Sequence, residues 1–348
     1  MGKIVKQVVG IDVAQKEIVV SMGRMFEDWA IQLHAHKAFA NNKKGFEAML
    51  LWVKKHCQET LPISFAMEAT GVYHQSLAYF LDEKNYPTSV LLPNKISNYI
   101  RTLDVKTITD KSCSEAIARF GLERKLEVWK KPKDIYRNIK HVTRERDQII
   151  EERTMAKNQL HAEETEAYPN KRSVARIKER IKLLNKQEKE IKGDIALLVA
   201  KDPEVKKIVN RISSLPGIAL LTAAIILAET NGFELIRNKR QLASYAGFDI
   251  KEKQSGTSIK GKSRISKKGN KHLRKAMHLP ALSAIRHDER FKAVFVRLVS
   301  RHGVKMKAAV AVQRKLLEMT YTLYKTGTTY EKDYFEKSIK EDKQKEVA

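Results

Sequence analysis

Between Ile135 and Leu198 the apolar residues advance by threes and fours. They run Ile135, Ile139, Val142, Ile149 and Ala156, then Ile177, Ile181, Leu184, Ile191, Ile195 and Leu198. A strand would alternate by twos, so this period demands helix. It breaks once, around Ala167-Tyr168-Pro169, where a proline cannot continue a helix interior. Two heptad-like helices joined by a turn predict an antiparallel coiled-coil hairpin. Arg146 and Arg153 interrupt the first apolar seam, and Glu188 sits in a gap of the second. Such a hairpin serves either as a plain helical linker or as a dimerisation arm. It divides the chain into residues 1–130, the hairpin at 131–205, a domain at 206–330 and a charged tail at 331–348.

The first part has a different grammar. KIVKQVVGID and KEIVVSMGR are apolar, β-branched runs that predict strands, and DWAIQLHAH predicts a third. NKKGFEAMLLWVKKHC has helical spacing, with Phe46, Leu50 and Val53 on one face. ISFAME then reads as a buried strand, HQSLAYFLDEKN as a helix, PTSVLLP as a short strand and DKSCSEAIARFGLE as a helix. The order β-β-β-α-β-α-β-α predicts an α/β sheet with helices packed on it. It matches the ribonuclease-H-like layout. Asp12 follows the first strand, Glu68 ends the fourth and Asp110 begins the helix after the fifth. In that layout these three places converge at one end of the sheet. Hard divalent cations take oxygen ligands, so the trio predicts a site for one or two Mg²⁺ ions.

The last part predicts an all-α domain. In RISSLPGIALLTAAIILAET, Pro216-Gly217 resembles the turn of a helix–hairpin–helix, which grips phosphate with backbone amides. Ala219 stands where that motif often has a second glycine, and a simple turn between helices is the other reading. QLASYAGF, LRKAMHLPALSAIRH and VKMKAAVAVQRKLLEMTYTLYK read as helices. Between the first two lies a basic loop within KQSGTSIKGKSRISKKGNKHLRKA, residues 253–276. Between Lys251 and Lys275 its only acid is Glu252. Lys260, Lys262, Arg264, Lys267, Lys268, Lys271 and Arg274 predict a clamp for nucleic-acid backbone. A serine hydroxyl here either hydrogen-bonds phosphate or, once its proton is removed, attacks it. Residue chemistry alone does not choose Ser255.

Charge agrees with a polyanion partner. Lys and Arg number 67 against 41 Asp and Glu, a formal charge of +26. That excess points to nucleic acid before membrane. No apolar run approaches the ~20 residues of a membrane span, and the opening MGKIVKQVVGIDV is too short and polar for a signal peptide. With only Cys57 and Cys113, no disulfide framework is expected, which suits a reducing cytoplasm and association with the nucleoid.

GIDVAQKEIVV, AMEATGVYH and TDKSCSEAIARFG resemble the N-terminal DEDD domain of the insertion-sequence "one-ten" transposases. SLPGIALLTAAIILAE, LASYAGF and QSGTSIKGKSRISKKGNKHLRKAMHLPAL resemble that family's C-terminal transposase domain, so the likeness covers almost the whole chain in order. The resemblance implies a Holliday-junction-resolvase-like N-terminal domain and a transposase that forms a covalent phosphoserine with DNA. It implies guidance by a non-coding bridge RNA; with the acids and the serine far apart in sequence, assembly as a homodimer or homotetramer is expected. The family serine falls on Ser255 and its first three acids on Asp12, Glu68 and Asp110. The fourth acid does not carry over. Where the family reads TDK-x-D, this chain reads TDKSC, with Cys113 one helical turn after Asp110. A thiol is a poor Mg²⁺ ligand, and Glu115 faces elsewhere. Two other readings stay open: a junction-resolving nuclease that uses water, and a non-catalytic nucleic-acid-binding relative.

Overall fold

A computed structural model describes residues 2–69, 71–103, 107–234, 236–251, 254–255, 259–260 and 264–331. For 254–255 and 259–260 it describes the backbone alone. The chain separates into two compact units, Met1–Lys131 and Pro132–Ala348.

The first unit opens with three antiparallel strands: β1 (Ile4–Val13), β2 (Glu17–Phe26) and β3 (Ile31–Ala40). Then come α1 (Lys43–His56), β4 (Ile63–Glu68), α2 (Gln75–Glu83), β5 (Thr88–Leu91), α3 (Pro93–Ile100) and α4 (Asp110–Glu123). The sheet order is β3-β2-β1-β4-β5, with β4 parallel to β1 and β5 parallel to β4. That is the ribonuclease-H-like arrangement the element order predicts. Strand periodicity sorts the side chains onto two faces. Val9, Ile11 and Val13 join Ile18, Val20, Phe65 and Met67 beneath α1 and α2. Val8 and Ala66 face the other way, into a core with Ile96 and Tyr99 of α3 and Ala116, Ile117 and Phe120 of α4. Two details differ from expectation. Leu50 packs against the core with Phe46 and Val53 but only partly buried, while Met49, which the spacing did not single out, is fully buried. And Pro93, which looked like the end of a strand, opens α3 from its N1 position, where its missing N–H costs nothing.

The second unit begins with α5 (Asp134–Thr165) and α6 (Lys171–Lys201). Asn170 caps α6 by accepting from the N–H groups of Arg172 and Ser173. The two helices lie antiparallel, since Arg146 meets Glu188 while Glu164, nearer the turn, meets Lys178. The charged interruptions of the apolar seam answer one another: Arg146, Arg153 and Lys192 all pair with the buried Glu188. There follow α7 (Pro203–Ile212), α8 (Leu220–Thr230), α9 (Lys239–Tyr245), α10 (Lys271–His287), α11 (Glu289–His302) and α12 (Lys305–Thr326). Tyr136, Ile139, Ile191, Ile195 and Val199 of the hairpin share one core with Ile226, Leu227, Met277, Leu316 and Leu317. The end of the hairpin nearest the rest of the unit is therefore built into it. No helix among the described residues is long and apolar enough to cross a membrane.

The unit is not all-α. The expected basic loop pairs with itself: β6 (Ile250–Lys251) with β9 (Arg264–Ile265), and β7 (Gln254–Ser255) with β8 (Ile259–Lys260). Isoleucines at 250, 259 and 265 suit such a ribbon.

Candidate active site and nucleic-acid interface

The parallel register of β1 and β4 sets Gly10 opposite Ala66 and Ile11 opposite Met67. One residue further on, Asp12 and Glu68 stand abreast on neighbouring strands, about 4.7–4.9 Å apart in the pairing direction. By parity with Val8 and Ala66, both carboxylates leave the sheet on the face that α4 covers.

Small residues bring α4 down onto that face. A Cβ at Gly10 would lie 2.2 Å from the Ala118 nitrogen and 2.3 Å from the Ser114 carbonyl oxygen. At Gly121 it would meet Val8, at 2.7 Å. Ser21 of β2 and Ser114 share a buried hydrogen bond of 2.7 Å. So α4 runs along β1 with its middle over Gly10, its C-terminal part over Val8 and its first turn beside Asp12. The first turn is fixed by a capping box: Thr109 Oγ1 accepts from the Ser112 N–H, and Ser112 Oγ accepts from the Thr109 N–H. This presents Asp110 and Cys113, three residues apart, on one side of the helix.

The electrostatics record the convergence. Burial raises the Asp12 pKa, the charge of Asp110 raises it further, and a backbone hydrogen bond from Val13 opposes this. Burial also raises Glu68, and the charge of Asp12 adds to it. The Cys113 thiol is pushed up to about 11, by burial first and then by Asp12, Glu68 and Asp110 in turn. It is thus the side chain that senses all three acids. In kind the donors suit a hard divalent cation, because crowded carboxylates carry negative charge that a cation would relieve. They are not a finished cage: among the described residues no three His, Cys, Asp or Glu side chains converge closely enough to hold an ion.

In the second unit the ribbon is held at its foot. Ser266 Oγ donates to Asp249 at 2.6 Å, across the β6–β9 end. Asn270 caps α10 through the N–H groups of His272 and Leu273. Its amide also donates to Glu229 Oε2 at 2.7 Å. Glu229 is buried at the end of α8, where Arg144 of α5 meets it through two hydrogen bonds, of 3.0 and 3.2 Å. Lys140 approaches to 3.8 Å. Although burial works to raise it, these partners hold the Glu229 pKa below the usual carboxylate value. Gly269 fits where a Cβ would strike the Tyr245 carbonyl at 2.5 Å.

Ser255 pairs with Ile259 on the outer ladder of this ribbon. Lys260 pairs with Gln254, the residue before Ser255, and Lys262 falls outside the described residues. Arg264, Lys267, Lys268 and Lys271 are exposed along the return path into α10. Arg274 is differently placed: its guanidinium donates to the Ala246 carbonyl at 2.8 Å, so it braces α9. The Pro216-Gly217 turn is occupied by packing, for a Cβ on Gly217 would lie 2.3 Å from the Pro280 carbonyl oxygen of α10. Two residues of consequence escaped the sequence reading. Gly10 carried a usable signal, since glycine inside a strand marks close backbone approach. Glu229 was the one acid in the apolar AAIILAET run.

The strand order and the shared end for Asp12, Glu68 and Asp110 define a ribonuclease-H-like protein, here joined to a helical unit that bears a basic ribbon. Residues 9–169 match the DEDD transposase family of IS110, and residues 209–295 match the family described as "Transposase IS116/IS110/IS902 family". The chain belongs to the IS110 family of transposases, enzymes of DNA recombination. It is 26% identical over 299 residues to the pilin gene-inverting protein of Moraxella bovis, spanning 84% of this chain and 90% of that one. It is 30% identical over 120 residues to the insertion element IS110 43.6 kDa protein of Streptomyces coelicolor, which covers 34% of this chain and 29% of that one. The solved structure of T. thermophilus RuvC in complex with Holliday junction substrate is 11% identical. That match covers 32% of this chain and 90% of RuvC with a TM-score of 0.25, so the strand order, not the superposition, carries the fold.

Proposed function

We propose that this transposase cuts and rejoins DNA through a phosphoserine at Ser255, assisted by Asp12, Glu68 and Asp110. The observation that carries the reading is the placing of Asp12 between Glu68 and the first turn of α4, where Asp12 feels the charge of Asp110 and Glu68 that of Asp12. The Ser255 oxygen forms a bond to a DNA phosphorus as the bond from phosphorus to one strand's sugar oxygen breaks. The serine proton leaves to a base, and the released strand end takes up a proton to become a hydroxyl. A second strand's hydroxyl then attacks the same phosphorus, the serine–phosphorus bond breaks, and serine regains its proton. No water is consumed, so the energy of the phosphodiester is kept. Asp12, Glu68 and Asp110 would hold Mg²⁺, which when bound supplies neutralisation of the phosphate's charge. The chain's own basic residues orient the backbone: Lys260, Lys262, Arg264, Lys267, Lys268 and Lys271 flank the serine in sequence.

The acids and the serine belong to different units of the chain, and the mechanism requires both to act on one phosphate within a homodimer or homotetramer. We assign the α5–α6 hairpin, as a coiled coil, to that assembly. Target and donor choice is assigned to a bridge RNA that pairs with DNA. The decisive measurement is a denaturing gel of protein with labelled DNA and Mg²⁺. A covalent adduct is expected for the native chain and none for Ser255→Ala. Asp12→Ala should lose divalent-dependent cleavage while still binding RNA. An adduct that persists in Ser255→Ala moves the nucleophile elsewhere. Cleavage with no adduct at any time point would favour a nuclease that uses water.

A further inference from the structure

The first unit contains a cavity of about 650 Å³ that the acid cluster does not use. It lies among the end of β5, α3 and the C-terminal end of α4, the two helices that cover the Asp12 face of the sheet. Leu91, Leu92, Tyr99, Phe120 and Leu126 supply apolar walls. Lys95, Arg124 and Lys125 supply cations at an exposed rim, with Glu127 as the one acid among the lining residues. Asn98 and Thr102 add polar groups. The volume is that of a small-molecule site, and the chemistry has two ends: apolar and planar within, cationic outside.

Arg124 joins the two ends. Its guanidinium lies 4.7 Å from the centroid of Phe120 and 5.9 Å from that of Tyr99. These rings meet edge to face at 5.1 Å and are themselves buried, so they form a fixed floor beneath the cation. The Arg124 carbonyl is held by Lys6 Nζ at 3.0 Å, as are those of Gly121 and Leu122, which fixes the backbone where α4 ends. A guanidinium held against aromatic rings on one side keeps a face free for a planar partner. Unpaired bases stack on arginine planes in this way, whereas paired bases keep their faces inside the duplex. The Tyr99 hydroxyl is buried on the cavity wall and turned toward Glu123. Burial, and after it Glu123, keeps that phenol protonated, as a donor.

We propose that this cavity binds one unpaired nucleotide of a nucleic-acid strand, its base stacked on Arg124 and its phosphates on Lys95 and Lys125. The proposal extends the nucleic-acid reading above but does not require the serine chemistry. It would anchor a single strand on the same sheet face as the acids, through a site remote in sequence from the basic ribbon. The test uses the full chain and a short single-stranded oligonucleotide carrying one photoreactive 4-thiouridine, with the adduct located by mass spectrometry. We expect the crosslink within residues 92–102 or 120–127. Arg124→Glu and, separately, the surface variant Lys95→Glu should each cut its yield roughly tenfold, the scale of one lost stacking or phosphate contact. Their melting temperatures should stay near that of the native chain. Ser255→Ala should leave the crosslink intact, so failure of the nucleophile assignment would not touch this result. An oligonucleotide that binds normally but never crosslinks to those segments overturns the proposal. So does complete displacement by free uridine monophosphate at equal concentration, which would mark a mononucleotide site instead.

Discussion

At position 113 the chain carries a thiol where the resemblance read from its sequence led to the expectation of a carboxylate, and the neighbourhood decides what that thiol is. Burial and three acids push it up to about 11, so at neutral pH it is an uncharged S–H. The cluster therefore holds three formal charges in place of four. Replacing Cys113 with Asp restores the fourth, and hard oxygen with it. Thermal shift against Mg²⁺ concentration should then show tighter saturation for Cys113→Asp, and Mg²⁺-dependent strand exchange should rise. Asp12 invites the opposite experiment. Its folded pKa, like that of Glu68, lies above the ordinary value. Such groups favour the fold fully below the unfolded pKa, and that advantage is lost as pH rises through the folded pKa. At pH 7 both acids consequently burden the native state. Asp12→Asn should melt higher than the native chain at pH 7, and the gap should close as pH falls below about 3, under the ordinary carboxyl value. It should also lose most of the stabilisation that Mg²⁺ gives.

Among the elements, α4 depends on a single missing methyl. Gly10→Ala would drive a Cβ into the backbone of Ser114 and Ala118, which cannot rotate away. Urea unfolding should register a loss of about 3 kcal/mol, the upper end for overpacked cores. The hairpin depends on a buried carboxylate. Glu188, with Lys192, Arg153 and Arg146 around it, has its pKa lowered to about 2 even though burial opposes this. Its stabilising effect is complete above 4.5 and disappears as pH falls through about 2. Glu188→Gln should abolish that part of the acid transition in circular dichroism. At neutral pH it should cost about 3–5 kcal/mol, because two arginines lose their counterion. These elements also show where the chain's own pattern runs out. Strands β1 to β5 and helix α4 were readable because their apolar residues keep a period. Helix α3 was not, since it is eight residues long and only Ile96 and Tyr99 are fully buried in it. At the ribbon's foot Ile250, Lys251 and Arg264 are exposed, so no apolar alternation announces it. Asp12, Glu68 and Asp110 could be picked out by their places at element ends. That α4 would press its first turn against them rests on Gly10, and a single residue writes no period.

For the molecule as a whole, +26 formal charges make salt the sharpest probe. Each neutralised phosphate contributes about 0.9 to the fall of log affinity with log salt. Engagement of six or more phosphates should weaken DNA binding on the order of 10³-fold between 50 and 200 mM salt, read by fluorescence anisotropy. Lys267→Ala with Lys268→Ala should flatten the slope by about two, one per phosphate contact, without changing sequence preference. Within the second unit, Glu229 draws in Arg144 from α5 and Asn270 from the start of α10, while its carbonyl accepts from Tyr245 of α9. The long hairpin and the foot of the serine-bearing ribbon thus grip the same carboxylate. At 32 residues α5 extends about 48 Å. A partner that seizes its distant tip and tilts it works a long handle whose fulcrum is Glu229, and the ribbon's root must swing with it or tear those bonds.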